Sequence, residues 1–545
     1  MPPRKRAAAG QGELPGVSST KEIQDILWKA ADKLRGSMDA AQYKEFVLGL
    51  VFLKYVSDAF AERRDELAAD PELAAIPEHR RAAFLEEKDE YTEKNVFWVP
   101  PTARWDHIAE NASSAEGGVG KLLDQAMDEV MGANKALTGV LPKIFNRDNV
   151  DQKRLKELVD LISDARFTGH GDRPAQDVLG EVYEYFLGRF ARAEGKLAGE
   201  FYTPASVVRL LVEVLEPYEG RVYDPACGSG GMFVQSGKFV ASRRGKDHTH
   251  DIAVYGQEAN ERTWRLAKMN LAIHGMDPKG VGERWADTFA DDKLPPHIKA
   301  DFVMANPPFN MSDWARKTDD PRWRYGVPPQ SNANYAWLQH IVSKLGDRGS
   351  AGVVLSNGSM SSKQSGEGEI RAAMVAADLV ACMVALPANL FRTTAIPACL
   401  WFLTKDKSPQ GTKALNDRRS RVLFIDARMM GTMLDRTERV LTDEDLEKIS
   451  DTYHAWRGTK SAKDKGLSYD DVSGFCYSAT LEEIEKHDYT LTPGQYVGAA
   501  GAEEDLDAEP VEERIARLTK ELFAQLDESA RLDAVVREQL GRIDG

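Results

Sequence analysis

The stretch "VYDPACGSGGM", residues 222–232, decides how the middle of this chain folds. An apolar run reaches Asp224 and Pro225, breaks into a glycine-rich turn (Gly228, Ser229, Gly230, Gly231), and restarts as a helix near Met232. Glycine permits positive φ and lets backbone come close to a ligand. In an open α/β sheet such a turn lies beyond the carboxyl ends of the strands, where ligands sit. The dinucleotide fingerprint G-x-G-x-x-G fails here because Phe233 stands at the third glycine's place, which disfavours a pyrophosphate. The next apolar run ends "VYGQE" and places Glu258 at its tip, where a carboxylate can accept both ribose hydroxyls. A further run is expected to lead into "RWADTF", placing Asp287 where it could meet an adenine amino group. A glycine turn followed by two acids after successive strands points to an adenosine-containing ligand.

The same pattern spreads outward. Between 199 and 426, short β-rich runs ("RVYDPA", "IAVYGQE", "DFVMANP", "AGVVLSN", "LVACMVALP", "ACLWFLTK", "RVLFIDA") alternate with helical stretches such as "ERTWRLAKMNLAIHG". Continuous apolar strands alternating with helices predict a parallel, doubly wound, Rossmann-like α/β sheet, and the closely spaced last strands suggest a hairpin-like edge. Before it, residues 20–195 show helical spacing, as in "TKEIQDILWKAADKLRG", "QYKEFVLGLVFLKYVSDAFAERRDEL" and "DQKRLKELVDLISDA", and predict an all-α N-terminal domain. The expected division is a disordered tail at 1–19, the helical domain at 20–195, the α/β domain at 196–440, a polar, helical extension at 441–500, and a C-terminal helix at 501–545. In that last segment Val511, Ile515, Leu518, Leu522, Leu526, Leu532, Val536 and Leu540 approximate a heptad seam, which suits docking on another chain.

A chain of 545 residues needs several cores. Its apolar runs fall short of the roughly 20 residues of a membrane span. The basic start "MPPRKRAAAGQGELPG" lacks an apolar h-region, so it does not read as a secretory signal. Cys227, Cys382, Cys399 and Cys476 show no C-x-x-C pairing, which suits a reducing cytosol, and no metal-ligand cluster stands out. A net charge of −15 argues against an unaided grip on nucleic acid, since such affinity comes largely from Lys and Arg neutralising phosphates.

The run "ADFVMANPPFN", residues 300–310, ends abruptly in Asn306, Pro307, Pro308 and Phe309. An amino group on an aromatic ring is a poor nucleophile, because its lone pair is delocalised. Two acceptors aimed at its N–H bonds would favour a pyramidal, more nucleophilic nitrogen. The Asn306 side-chain oxygen can be one and the Pro307 carbonyl the other, held rigidly by the prolines. Phe309 offers a flat face for stacking. The "NMSDWARK" and "DPRWRY" segments that follow mix basic and aromatic residues, which suits either nucleic-acid contact or plain packing. His274 and His340 lie in helical stretches and read as core or surface histidines.

"DPACGSGG", "GQE" and "NPPF" in that order resemble the amino-methyltransferases that use S-adenosylmethionine. "GEFYTP" (199–204), "ALPANLF" and "DYTLTPGQYVG" are similar to the methylation subunit of type I restriction–modification systems, over nearly the whole chain from Lys21 to Gly498. The resemblance implies a methyltransferase core acting on N6 of an adenine rotated out of double-stranded DNA. It implies that Glu200, Phe201, Tyr202, Thr203, Pro204 and Ala205 join the glycine turn and Glu258 around the cofactor, with S-adenosylhomocysteine as product and no metal required. It further implies a cytoplasmic bacterial or archaeal protein. Its partners would be a specificity subunit that reads the sequence, a second copy of this chain, and a restriction subunit in the cleaving complex. N4 of cytosine, a guanine amino group in RNA, or a protein glutamine amide remain alternative acceptors, because the N-P-P-aromatic tip recognises a planar NH₂ rather than DNA.

Overall fold

The computed structural model describes residues 40–498 apart from 75, 95, 149, 164–174, 195–202, 392–396 and 437, together with five isolated positions nearer the ends. The expected tail at 1–19 and the expected docking helix, save three of its positions, lie outside the described residues, as do Glu200, Phe201 and Tyr202.

The N-terminal part is helical, as its spacing requires. Its main helices are α1 (Ala40–Ala68), α2 (Val119–Ala133), α3 (Gln152–Ser163) and α4 (Ala175–Glu194). They bury one apolar cluster that includes Phe46, Val51, Phe60, Leu123, Leu158, Tyr183 and Phe186. Then follow α5 (Ala205–Leu215), β1 (Gly220–Asp224), α6 (Gly231–Arg244), β2 (Ile252–Gly256), α7 (Glu261–Ile273), β3 (Ala300–Ala305), α8 (Asn334–Lys344), β4 (Leu345–Ser356), α9 (Glu367–Ala376), β5 (Val380–Ala385), β6 (Ala398–Thr404), β7 (Arg421–Asp426), α10 (Asp443–Arg457) and β8 (Cys476–Thr480). The eight strands form one sheet in the order β8-β7-β5-β6-β4-β3-β1-β2.

Three expectations need correction. The sheet is mixed rather than parallel. β6 inserts between β4 and β5, antiparallel to both, so the closely spaced strands form part of the interior and not a hairpin at an edge. The 441–500 region is not only helical, because β8 adds an antiparallel edge strand to β7 and ties the extension to the core. No strand precedes "RWADTF": a short 3₁₀ turn (Pro278–Val281) and a loop carry the chain from α7 to β3. The polar and glycine-rich "HGMDPKGVGERWADTF" offers no apolar run long enough for one.

Register places the site. β1 pairs in parallel with β2 (Asp224 beside Gly256) and with β3 (Tyr223 beside Val303), so the turns after the three strands open on one edge. The chain runs from β1 to β2 on one side and returns to β3 on the other. β1 and β3 therefore flank a topological switch point, the usual ligand crevice of such sheets. Helix α7 serves two cores. Trp264, Ala267 and Leu271 pack in the sheet's cluster, while Leu266, Met269 and Ile273 pack in the cluster of the helical region. Its i, i+3, i+4 spacing supplies both stripes. The four cysteines are free and buried.

Candidate active site

Asp224, the last residue of β1, is buried and accepts the Ala226 N–H at 2.9 Å, which turns the chain sharply. Burial pushes its carboxyl up to about 8, opposed by the Ala226 N–H and reinforced by the charge of Glu258. Gly228 (φ 54°) and Gly230 (φ 79°) take left-handed backbone that disfavours a side chain. A Cβ at Gly228 or Gly231 would meet nothing within 4 Å, so the turn leaves open space above it. Glu258 accepts the Gly228 N–H at 3.0 Å and the Asn260 N–H at 2.8 Å, which joins the tip after β2 to the glycine turn.

Asn306 follows β3 directly. Its amide nitrogen donates to the Thr203 hydroxyl at 2.8 Å, while its amide oxygen is buried without a hydrogen-bond partner. Thr203 is held just ahead of α5, whose N-cap is Pro204. One amide thus has its donor side occupied and its acceptor side available. Phe309 is half-buried and meets the edge of Phe391, with ring centroids 6.0 Å apart at 73°. Asn310 (φ 51°) ends the segment; its N–H donates to Asn334 Oδ1 at 3.0 Å, and its Oδ1 accepts from Asn334 Nδ2 at 2.9 Å. The N-P-P-F tip is therefore clamped to the start of α8.

A cleft with about 740 Å³ of empty space, open to solvent, gathers these parts. Of the candidates read from sequence, it is lined by Thr203, Ala205, Asp224, Gly228, Ser229, Gly231 and Asn306. Glu258 reaches it through the Gly228 backbone. Asp287 does not line it: its carboxylate accepts the Phe289 and Ala290 N–H groups at 2.9 and 2.7 Å, in a loop turn. That loop is nonetheless seated on the site, because Ala286 N–H donates to the Glu258 carbonyl and the Thr288 hydroxyl to the Pro225 carbonyl.

Sequence reasoning missed Glu184 and Leu187 on α4, Gln235 on α6 and Asn270 on α7, which also line the cleft. Asn270 carried a signal, as the lone amide in a stretch of α7 that buries every residue from Leu266 to Ile273. Glu184 carried none, since a glutamate on an amphipathic helix ordinarily faces water.

The segment after the tip packs rather than projects. Trp314 and Trp323 are buried with Phe289 and Trp337, and the Trp314 indole donates to the Pro329 carbonyl at 3.0 Å. Arg322 pairs with Asp320 and donates to the Thr288 and Phe289 carbonyls. It also donates to His340 Nδ1 at 3.0 Å, so that imidazole is neutral and its Nε2–H faces the Tyr223 hydroxyl. Burial, with the Arg322 and Lys344 charges, holds His340 well below its usual range. It is a packing histidine.

The family model described as N-6 DNA Methylase matches residues 174–505, and that of the HsdM N-terminal domain matches residues 23–163. The chain is 46% identical to the type I restriction enzyme HindI methylase subunit of Haemophilus influenzae, over 81% of this chain and 99% of the relative. It is 38% identical to the MjaIX methylase subunit of Methanocaldococcus jannaschii, over 96% of this chain and 91% of that one. Among solved structures, the type I restriction–modification methyltransferase subunit from Streptococcus thermophilus superposes with a TM-score of 0.71 at 26% identity, covering 88% of this chain and all of that one.

Proposed function

The chain belongs to the N-6 DNA methylase family, and from that membership we propose how its residues carry out the reaction. It is an N6-adenine DNA methyltransferase, the modification subunit of a type I restriction–modification system. The observation that carries the mechanism is the Asn306 amide: its oxygen is buried and unpaired at the tip of β3, and Thr203 fixes the amide's orientation. A buried acceptor without a partner costs about 1–3 kcal/mol, so it is retained for a donor that arrives during function. The adenine amino group is that donor.

The residues present fit S-adenosylmethionine, which supplies when bound a methyl group already activated on its sulfonium. The open space over Gly228 and Gly231 would admit it, Glu258 at the tip after β2 would accept the ribose hydroxyls, and Asp224 lines the cleft. Asn306 Oδ1, with the Pro307 carbonyl, draws on the amino N–H bonds, pyramidalises the nitrogen, and stabilises the positive charge that develops on it. This is preorganised electrostatic stabilisation combined with positioning. Phe309, braced by Phe391, stacks on the rotated base. Asp287 contributes by holding its loop against the cofactor turn.

The reading extends to partners. A separate specificity subunit supplies base readout and much of the phosphate grip, which suits a chain of net charge −15. Two copies of this chain flank it, the 501–545 segment docks on it, and a restriction subunit joins the cleaving complex. Among the described residues no helix is long and apolar enough to cross a membrane. The test is modification-sensitive sequencing of DNA from a methylation-free host carrying this chain with and without the specificity subunit encoded beside it. N6-methyladenine in a two-part sequence only when both are present is the expected result. Methylation by this chain alone would overturn the dependence on the partner, and no modification by two soluble proteins would overturn the DNA substrate.

A further inference from the structure

The cleft that holds Asn306 has a wall drawn partly from outside the α/β core. Glu184 comes from α4, the last helix of the helical region, and Asn270 from α7. Asn270 is 1% exposed, its Nδ2 donates to the Ser229 carbonyl in the glycine turn at 2.8 Å, and its Oδ1 is buried with no hydrogen-bond partner. It is a second oriented amide with an unpaired acceptor in the same cleft. Beside it, His274 Nδ1 donates to the Asn270 carbonyl at 2.9 Å, and His274 Nε2 stands 3.5 Å from Glu184 Oε1. Lys238 pairs with the same Glu184 oxygen at 2.6 Å. Although burial raises its pKa, these partners hold the Glu184 carboxyl below the usual range, so it is ionised at neutral pH. The approach of α4 is close: a Cβ at Gly180 would lie 2.7 Å from His274 Nε2.

The donor's charge pattern says what such a wall receives. Its sulfonium lies between the ribose and an amino-acid chain. Glu258 is not among the residues lining the Asn306 cleft, so with the ribose at Glu258 the half entering that cleft is the amino-acid half. That half carries one ammonium, which seeks acceptors, and one carboxylate, which seeks donors. Asp224 is less suited to the ammonium, because burial pushes its carboxyl up to about 8 and leaves it uncharged at neutral pH. We infer that Glu184 and Asn270 Oδ1 together bind the ammonium of the methyl donor's amino-acid end, so that the helical region completes the cofactor site. Gln235, on the same cleft, offers amide N–H groups to the carboxylate. The inference rests on the cofactor reading above.

The experiment is calorimetric titration of the full-length chain with S-adenosylhomocysteine and, separately, with 5′-methylthioadenosine, which keeps the adenine and ribose but lacks the amino-acid end. In Glu184→Gln and Asn270→Ala the affinity for S-adenosylhomocysteine is expected to fall about tenfold or more, the cost of a lost charge-assisted contact. Methylthioadenosine should bind each variant with little change relative to that loss. The affinity ratio of the two ligands is the readout, and it should drop about tenfold. Parallel weakening of both ligands would mean these residues only support the turn, and would overturn the inference, as would an unchanged ratio. Should Asn270→Ala fail to fold, Glu184→Gln decides alone, since its side chain is 30% exposed and the substitution keeps its size. A wild-type chain that binds neither S-adenosylmethionine nor S-adenosylhomocysteine would overturn the cofactor reading itself, a result distinct from the others.

Discussion

Replacing Asn306 with alanine separates what that residue does for the reaction from what it does for the fold. The wild-type amide makes one neutral hydrogen bond, Nδ2 to the Thr203 hydroxyl at 2.8 Å, and leaves Oδ1 buried and unpaired. Losing the bond costs about 0.5–1.5 kcal/mol, whereas removing the unsatisfied acceptor recovers about 1–3 kcal/mol. The balance lies between about 0.5 kcal/mol against and about 2.5 kcal/mol in favour of the variant's fold. Catalysis moves the other way: deleting one group preorganised for the transition state lowers kcat by about 10²–10³-fold or more. The measurements are the urea midpoint of the isolated chain, calorimetric binding of S-adenosylmethionine, and transfer of a labelled methyl group to target DNA with the specificity subunit present. The expected set is a midpoint equal to or above wild type, cofactor affinity within about threefold, and transfer reduced at least a hundredfold. Two results would refute the reasoning. Turnover within about tenfold of wild type removes Asn306 from the chemistry. Destabilisation beyond about 2 kcal/mol makes it a structural bridge.

Thr203→Val keeps the shape but removes the acceptor that orients the Asn306 amide; kcat should fall about tenfold with cofactor affinity little changed, and Thr203→Ser should restore it. Asp224 gives the fold a pH slope: its folded value of about 8 lies above an unfolded value near 3.9, so between them the folded state keeps a proton that the unfolded state has lost. Its contribution is fully present below about pH 4 and declines as pH rises towards 8, by on the order of a few kcal/mol. Asp224→Asn should flatten urea midpoints over that window and stabilise the chain most at its alkaline end; an unchanged slope would contradict this. Trp314→Ala should cost about 3–5 kcal/mol through loss of a buried indole, while the salt dependence of DNA binding by the assembled complex stays as in wild type. A flatter salt dependence with unchanged stability would restore the DNA-contact reading of that segment.

Much of this site is legible in the residues because its chemistry is local. The glycine turn, Glu258 and N-P-P-F each follow a continuous apolar run, and the parallel pairing of β1 with β2 and β3 brings those three strand ends to one edge. The strand expected before Asp287 was misread because acids at loop turns and acids at strand tips look alike in sequence; only the backbone shows Asp287 in a turn, its Oδ1 accepting from Phe289 and Ala290. The interior position of β6 was illegible for a related reason. A fully buried strand reads as the same apolar run in either direction, and nothing in "ACLWFLTK" reports which neighbours it pairs with.

Glu184 and Asn270 mark the deeper limit. They enter the cleft because α7 presents one stripe to the sheet and another to the helical region, which draws α4 across the glycine turn. The packing that stabilises the boundary between the two regions is therefore also what sets the cofactor wall. A shift of α4 relative to α7 would move Glu184 from His274 and uncover the far end of the cleft. Substitutions that loosen this boundary without touching the cleft, such as Met269→Ala in the cluster of the helical region, should thus weaken S-adenosylhomocysteine more than 5′-methylthioadenosine. An equal loss for both ligands would show that the helical region braces the sheet without shaping the site.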